Sequence, residues 1–163
     1  MSTRLSLAAL TMVLLAPSTA LADVTAFLGI TPTPANRVTR GFAGGIGLLV
    51  VGFEFEYADT VEDDTKDAPA LKTYMVNGLA QTPVPIAGMQ LYATAGGGLY
   101  RESITQTSQV VTESNVGMNV GGGVKMSLLG PLRLRLDYRI FKLRGESRHP
   151  NVQRFYAGVN LKF

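Results

Sequence analysis

The feature that most constrains the fold of this chain is a strict alternation of apolar and charged side chains. In one segment the even positions hold Leu132, Leu134, Leu136, Tyr138 and Ile140, and the odd positions between them hold Arg133, Arg135, Asp137 and Arg139. A helix, with 3.6 residues per turn, would mix the two sets on every face, whereas a strand separates them onto opposite faces. The alternation therefore predicts strands.

The same period of two recurs along the chain and predicts eight strands. They cover residues 24–30, 41–48, 51–58, 71–81, 89–100, 116–128, 132–140 and 155–163. Two of them are less regular than the rest. Segment 24–30 is short, and in segment 71–81 the apolar Met75 and Leu79 share the parity of the polar Thr73 and Asn77.

The N-terminus has the composition of a secretory signal peptide. Arg4 precedes an apolar run over residues 5–15, which is too short to span a bilayer, and Ala20-Leu21-Ala22 forms a small-x-small cleavage site. We therefore expect residues 1–22 to be a cleaved signal peptide and residues 23–163 to form one mature domain. The mature segment has no apolar run long enough for a transmembrane helix.

Composition excludes several classes of site. The chain has no cysteine, which excludes disulfides and thiolate metal sites. Its net charge of +3 comes from charges of both signs spread along the chain, so we expect no nucleic-acid partner. We also expect no metal and no cofactor, because the acidic segment at residues 59–67 lacks the spacing and the ordering glycine of a calcium loop.

The connectors between the predicted strands alternate in length. The long ones cover residues 31–38, 59–70, 103–114 and 144–153, and the short ones cover residues 49–50, 82–87 and 129–131. Transmembrane barrels have short periplasmic turns and longer external loops. The pattern predicts an all-β fold, an eight-stranded antiparallel up-and-down transmembrane β-barrel with both termini on the periplasmic side.

Alternation alone does not say which face of the strands points outward. The polar face carries many glycines, as the narrow interior of an eight-stranded barrel requires, and the apolar face has almost no charge in mid-strand, as hydrocarbon requires. We therefore predict apolar side chains on the outside and polar ones in the lumen. A soluble periplasmic barrel that binds a ligand inside would have the opposite orientation.

The C-terminal segment carries a resemblance to a known family. Phe155, Ala157, Val159, Leu161 and Phe163 alternate up to the last residue, and this pattern resembles the terminal assembly signal of bacterial outer-membrane proteins. The mature chain as a whole resembles the small OmpA/OmpX-type and opacity-type barrels. The resemblance implies a place in the bacterial outer membrane and an encounter between the barrel-assembly machinery and Phe155, Val159, Leu161 and Phe163. Because tryptophan is absent, an aromatic girdle must use Tyr57, Tyr74, Tyr138 and Phe163.

Charged residues on the polar face predict an ion-pair network in the lumen. Its members are Glu54, Glu56 and Asp137 with Lys125, Arg133, Arg135 and Arg139. Unpaired charges in a narrow lumen would cost several kcal/mol each, so we expect the two signs to pair. We interpret the network as a plug that fills the lumen. The alternative is a gate whose exchanging pairs let small ions through.

A second set of basic residues has lipid-facing parity where the strands should meet the external leaflet. It comprises Arg40, Lys72, Arg101 and Lys142. Long cationic side chains at this level can simply extend into water. The functional interpretation is a collar that binds the phosphate groups of lipopolysaccharide.

These features predict a non-enzymatic outer-membrane protein with an envelope-structural or surface-interaction role and exposed external loops. The alternative function is a narrow channel or transporter for small solutes. The only histidine, His149, lies with Ser147 in a predicted external loop, where neither side chain is held in the geometry that acyl transfer requires. Outer-membrane lipid and lipopolysaccharide are the expected partners, and the sequence identifies no external protein ligand.

Overall fold

Eight antiparallel strands form a closed up-and-down barrel in the computed structural model, which describes residues 21–106 and 109–163. The strands are β1 (Leu21–Thr31), β2 (Arg37–Leu48), β3 (Val51–Thr60), β4 (Ala70–Gln81), β5 (Met89–Gln106), β6 (Gln109–Leu129), β7 (Leu132–Leu143) and β8 (Asn151–Lys162). A short 3-10 helix, Asp64–Lys66, lies between β3 and β4. Each strand pairs with its sequence neighbours, and β8 closes the barrel against β1. Within the described ranges, no helix is long and apolar enough to cross a membrane.

The predicted orientation of the two faces is confirmed. Val120 and Val159 on the outer face are 57% and 53% exposed, whereas Glu56 and Arg135 on the inner face are fully buried. Closing a sheet of eight strands leaves an interior just wide enough for side chains to fill. The charged residues are therefore removed from water while the apolar ones face outward.

The first strand is longer than its sequence pattern predicts. Strand β1 begins at Leu21 and ends at Thr31, long enough for a transmembrane strand, and pairs with β2 along its whole length. Its ends were missed because Asp23 and Thr31 are polar residues that face inward and do not extend the apolar pattern. The predicted signal peptide falls on residues 1–22, of which residues 1–20 lie outside the described part of the chain.

Strand β4 shows that the inner face is not uniformly polar. Leu71, Met75 and Leu79 point into the lumen beside Thr73 and Asn77, and all five are buried. The irregular alternation of this segment therefore reflects apolar packing inside the barrel, and the strand itself is regular.

The prediction of a connector at residues 103–114 is wrong, because most of these residues extend strands β5 and β6. Strands β5 and β6 remain paired from Met89↔Met126 out to Gln106↔Gln109, which leaves only residues 107–108 between them. Residues 103–114 are rich in Thr, Ser, Gln and Val, so the strict apolar alternation is lost, although the β-branched residues still favour extended structure. The other three long connectors are each shorter than predicted by a few residues at their ends, whereas the short connectors change by at most one residue. The periplasmic connector at residues 82–88 is as long as the external connector at residues 144–150.

Candidate functional site

The centre of the lumen is crossed by one arginine. Arg135 on β7 reaches Glu54 on β3, on the opposite wall, and holds both carboxylate oxygens in a bidentate pair, with Nη2 3.1 Å from Oε1. Its Nη2 also lies 3.0 Å from Asp137 Oδ2, and its Nε donates to the Tyr92 hydroxyl at 2.7 Å. A fork of donors that meets planar acceptors in this way is the strongest arrangement available to arginine.

Arg139 joins the remaining carboxylates of the central layer. Its Nη2 lies 2.8 Å from Glu54 Oε1 and 3.1 Å from Glu56 Oε2, and its Nε lies 3.0 Å from Asp137 Oδ1. The Tyr156 hydroxyl lies between two of these acids, 2.9 Å from Asp137 and 3.1 Å from Glu56. The side chains of both arginines and all three acids are at most 1% exposed.

Sequence reasoning missed Arg154 on β8, which balances the charge of this layer. It is fully buried, lies 3.4 Å from Glu56 Oε1, donates to Thr73 Oγ1 at 3.2 Å, and stacks its guanidinium 4.4 Å from the Phe141 ring centre. With it, three arginines face three carboxylates. The available signal was parity, because Arg154 shares the inward register of Tyr156 one residue before the predicted strand began.

Two predicted members of the network lie toward the periplasmic end of the lumen and are separate from the central layer. Lys125 pairs with Asp23, and Arg133 donates to Gln90 Oε1 at 3.0 Å. They border a cavity of about 150 Å³ that also contacts Lys162. The structure thus divides the predicted set into a fully buried central layer and a polar mouth.

An apolar layer covers the central layer on the external side. It comprises Leu71, Met75, Tyr100, Phe141, Leu143 and Val152, all buried. Phe141, Leu143 and Val152 lie outside the strands predicted from the sequence, so their inward orientation was missed. The layer adds a dry barrier above the charged one, because apolar side chains in close contact leave little room for water.

Glycines on β6 make room for the large polar side chains. A Cβ on Gly121 would lie 2.8 Å from Arg139 Cγ, and one on Gly123 would lie 2.8 Å from the Tyr92 ring. Both distances are below what a real side chain tolerates. A Cβ at either position would also collide with a backbone carbonyl of β7, that of Tyr138 or of Leu136. Gly121 and Gly123 therefore allow close approach both of β7 and of the arginine and tyrosine side chains in the lumen.

The external connectors are joined to one another above the apolar layer. Arg37 donates to the Pro69 carbonyl and, at 2.9 Å, to the Thr33 carbonyl, which links the first two connectors. Arg148 in the fourth connector holds both oxygens of Asp67 in the second at 2.6 and 2.7 Å. These contacts draw three connectors together over the external mouth.

Three of the four residues of the predicted collar form one row on the outer face. The strand register places Arg40 opposite Asp59, Asp59 opposite Lys72, and Lys72 opposite Arg101. Arg40 lies 3.6 Å from Asp59 and its side chain is 70% exposed. Lys142 is not part of the row, since its register partners are Met118 and Asn151.

On β2, β3 and β4 the next outward-facing residues, two positions closer to mid-strand than this row, are aromatic. The ring centres of Phe42 and Tyr57 are 5.5 Å apart, and those of Tyr57 and Tyr74 are 5.1 Å apart. Tyr138 stacks on Phe155 at 4.4 Å in a separate pair. Aromatic girdles mark the interfaces of transmembrane barrels, and the cationic row lies on the external side of these rings.

The C-terminal strand presents its predicted signal residues outward. Phe155, Val159 and Phe163 are 45%, 53% and 65% exposed, and Leu161 is half-buried. The strand pairs with β7 and with β1, and the Phe163 amide donates to the Ala22 carbonyl at 2.8 Å. Strand β8 is thus the one that completes the closed sheet.

Comparison with known proteins decides the family. The model of the outer membrane protein beta-barrel domain matches residues 7–163, nearly the whole chain. The chain is an outer-membrane β-barrel protein. The predicted recognition and the predicted location in the bacterial outer membrane are confirmed. No curated protein matches the chain.

Solved structures similar to this outer-membrane barrel confirm the fold. The N-terminal β-barrel domain of Pseudomonas aeruginosa OprF superposes with a TM-score of 0.69 at 14% identity, over 88% of this chain and 97% of that one. Neisserial surface protein A gives 0.67 at 17% identity, over 88% and 96%. Ail of Yersinia pestis, in complex with a heparin analogue, gives 0.61 at 13% identity, over 88% and 99%. The outer-membrane enzyme PagL also matches, with a TM-score of 0.52 at 14% identity over 85% and 98%.

Proposed function

We propose that this outer-membrane barrel is a non-enzymatic protein of the cell envelope, with a sealed lumen and a role in structure or surface interaction. The observation that carries the proposal is the central layer, in which three buried arginines meet three buried carboxylates. Because this layer has no net charge and no exposed group, it provides no site at which an ion could exchange its water shell for protein ligands.

Two further barriers on the external side of the central layer support closure. Ions would have to cross the apolar layer around Met75 and Phe141 and then the connectors joined by Arg148 and Asp67. Each barrier is independent of the others, so a rearrangement of one ion pair would not open the lumen.

A narrow channel is the second candidate, favoured by one observation. Arg139 lies within ion-pair distance of Glu54, Glu56 and Asp137 together, so its partners could exchange without a large movement. Such exchange is what a gate would require.

Conductance across a planar bilayer separates the two candidates. We expect the parent protein, Glu54→Ala and Glu56→Ala to give the same low conductance, because the apolar layer remains when a carboxylate is removed. Arg133→Ala at the periplasmic mouth is the matched control. Discrete openings in Glu54→Ala that are absent from both the parent and Arg133→Ala would favour the channel.

The side chains at the external mouth favour a non-enzymatic role. The Ser147 hydroxyl donates to Glu102 Oε1 at 2.9 Å, so its proton is directed to a carboxylate and away from His149. A serine nucleophile of acyl transfer is activated by an imidazole in that position, which is a stronger base than a carboxylate. The similarity to PagL concerns the fold alone.

We also propose that the row formed by Arg40, Lys72 and Arg101 binds phosphate groups of lipopolysaccharide. The row holds three cations against the single carboxylate of Asp59, and it lies beside the aromatic girdle. Charge-assisted contacts to phosphate are the strong contacts available to such side chains.

Thermal unfolding in detergent tests the row. Lipopolysaccharide should raise the unfolding temperature of the parent by roughly 2–4 °C for each kcal/mol of binding. Replacing both Lys72 and Arg101 with glutamine should remove most of the rise, because two of the three cations are lost. Lys142→Gln, outside the row, should retain it. An equal rise in all three proteins would reject the site.

Export and assembly complete the proposal. Residues 1–22 would direct export and be removed, and this cleavage would take away Leu21 and Ala22 at the start of β1. The outward residues Phe155, Val159, Leu161 and Phe163 would meet the assembly machinery before β8 closes the sheet. Exposure of this apolar row on the strand that pairs with β1 to close the barrel supports the second step.

A further inference from the structure

Strand β6 has a free edge at its external end. Its pairing with β7 begins at Gly117↔Leu143, whereas its pairing with β5 continues out to Gln109. Within residues 21–106 and 109–163, residues 109–115 therefore pair on one side only, over about 20 Å at roughly 3.3 Å per residue. Hydrogen-bonding groups along such an edge are a template for another strand.

The edge is free because the chain turns away after β7. The Arg144 amide donates to the Val116 carbonyl at 3.0 Å, and Gly145 then adopts a φ of +89°. A Cβ at Gly145 would collide with the Asn115 side chain. The turn thus stops β7 from continuing along β6 and leaves its place beside the edge open.

The backbone N–H and C=O groups of β6 point alternately toward β5 and toward the side on which β7 would continue, and this alternation identifies the groups at the free edge. The Val116 carbonyl points toward β7, and in an antiparallel ladder every second residue directs its N–H and C=O to the same side. Thr112 and Ser114 therefore present their backbone groups to the open position. Glu113 directs its own to β5, where it is paired with Glu102.

The surroundings of the edge are acidic. Glu102 and Glu113 lie directly opposite each other across the two strands, an arrangement of like charges that is unfavourable without a counter-charge. Glu102, Glu113, Glu146 and Arg148 line a cavity of about 110 Å³ beside the strand. The guanidinium of Arg148 is held by Asp67. Glu102 interacts electrostatically with Arg37 and accepts hydrogen bonds from Ser147 and the Arg148 amide. Two cations thus face the four carboxylates of Asp67, Glu102, Glu113 and Glu146, so the surroundings remain acidic.

We propose that the free edge of β6 binds an extended basic peptide segment of another protein, which joins the sheet as an antiparallel strand. Strand addition supplies the affinity through the backbone of Thr112 and Ser114, and the lysine or arginine side chains on one face of the segment meet Glu113 and the cavity. This inference specifies the surface-interaction role proposed above and rests on it.

A second copy of this chain fits the edge less well. In one membrane all copies share an orientation, so β6 of each runs from its external end toward the membrane. Two such edges would meet as parallel strands with like charges together, which is the weaker pairing. A separate segment is free to approach in the antiparallel direction.

Binding of a designed peptide to the folded full chain in detergent tests the proposal. The probe is a fluorescent eight-residue peptide with lysine at every second position and valine or threonine between, and the readout is fluorescence anisotropy. We expect saturable binding that weakens with salt. A peptide of the same composition with its lysines consecutive should bind at least about tenfold more weakly, because only alternation places every charge on the face of Glu113.

Variants of the protein separate strand addition from simple charge attraction. Thr112→Pro removes one N–H from the free edge and should weaken binding at least about tenfold, whereas Thr112→Val keeps that N–H and should bind like the parent. Glu113→Gln should weaken binding and its salt dependence, and Asp64→Asn, an equal charge change elsewhere on the external side, should not.

A change in the peptide alone guards against variants that fail to fold. Methylation of every second backbone nitrogen on the bonding side of the probe should abolish binding to the unaltered protein. Equal binding of the alternating, consecutive and methylated peptides would overturn the proposal, as would unchanged binding to Thr112→Pro. Either result would reject peptide binding at the edge of β6 alone. The sealed lumen is tested separately by bilayer conductance, which does not depend on this edge.

Discussion

Replacing Arg135 with leucine should lower the free energy of unfolding by about 3–5 kcal/mol, the cost of leaving buried acids without their cation. Arg135 is fully buried, forms the bidentate pair with Glu54 and also contacts Asp137. Among the residues that the structure describes, its removal leaves Arg139 as the one cation within ion-pair distance of Glu54 and Asp137. The measurement is reversible denaturant unfolding in lipid vesicles, followed by circular dichroism because the chain has no tryptophan.

The matched control for this substitution is Arg133→Leu. Arg133 lies on the same strand and the same face, but at the half-exposed periplasmic mouth, where it donates to Gln90. Its loss should cost about 1 kcal/mol or less, as for other solvated pairs. The double variant Glu54→Leu, Arg135→Leu should recover part of the loss, since neither charge is then left alone. Equal effects of Arg133→Leu and Arg135→Leu would argue against a sealed central layer.

Replacing Val120 with arginine should lower the free energy of unfolding by about 2–4 kcal/mol, the cost of a cation at the bilayer midplane. Val120 is exposed on the outer face, midway along β6 between Ser114 at the level of the cationic row and Leu128 near the periplasmic turn. An arginine here has no short path to water on either side.

Val116→Arg provides the comparison at another depth. Val116 has the same exposed outer position on the same strand, but it lies close to the external interface. The arginine can extend to the headgroups, so the loss should fall to about 0–1 kcal/mol. Similar losses at both positions would mean that depth in hydrocarbon does not set the cost.

Much of the fold could be predicted because a transmembrane strand must alternate. Strand β7 shows this alternation clearly, with Leu134 on the outer face and Arg135 on the inner face. The apolar residues could therefore be assigned to the outside. Strand β4 was harder to assign because Met75 and Leu79 pack inside the lumen, where apolar side chains are also allowed. The sequence alone does not distinguish an apolar residue that faces lipid from one that fills the barrel.

The lumen was predicted incompletely for a related reason. Glu54 and Arg135 lie in regular strands, and their inward parity could be assigned, whereas Arg154 precedes the apolar signal of β8 and was left outside the predicted strand. Which cation meets which acid depends on the closure of the barrel, which brings β3 and β7 face to face.

The length of the β5–β6 hairpin could not be predicted from alternation. Beyond the membrane both faces of a strand meet water, so the apolar period that marks a crossing is lost while the ladder continues from Arg101↔Ser114 to Gln106↔Gln109. The free edge of β6 follows from this difference between the length of a strand and the length of its membrane-crossing part.

The central claim is that lipid hydrocarbon surrounds the apolar face and that the polar face is sealed inside. Since the chain has no native cysteine, single nitroxide labels can be placed at Val120→Cys and at its neighbour Asn119→Cys, in the barrel reconstituted in vesicles. The label at position 120 should collide often with oxygen, which concentrates in hydrocarbon, and rarely with a water-soluble nickel chelate. The label at position 119, where the native side chain is 5% exposed, should collide rarely with both. More frequent oxygen collisions at position 119 than at position 120, or nickel access at position 120, would contradict the account.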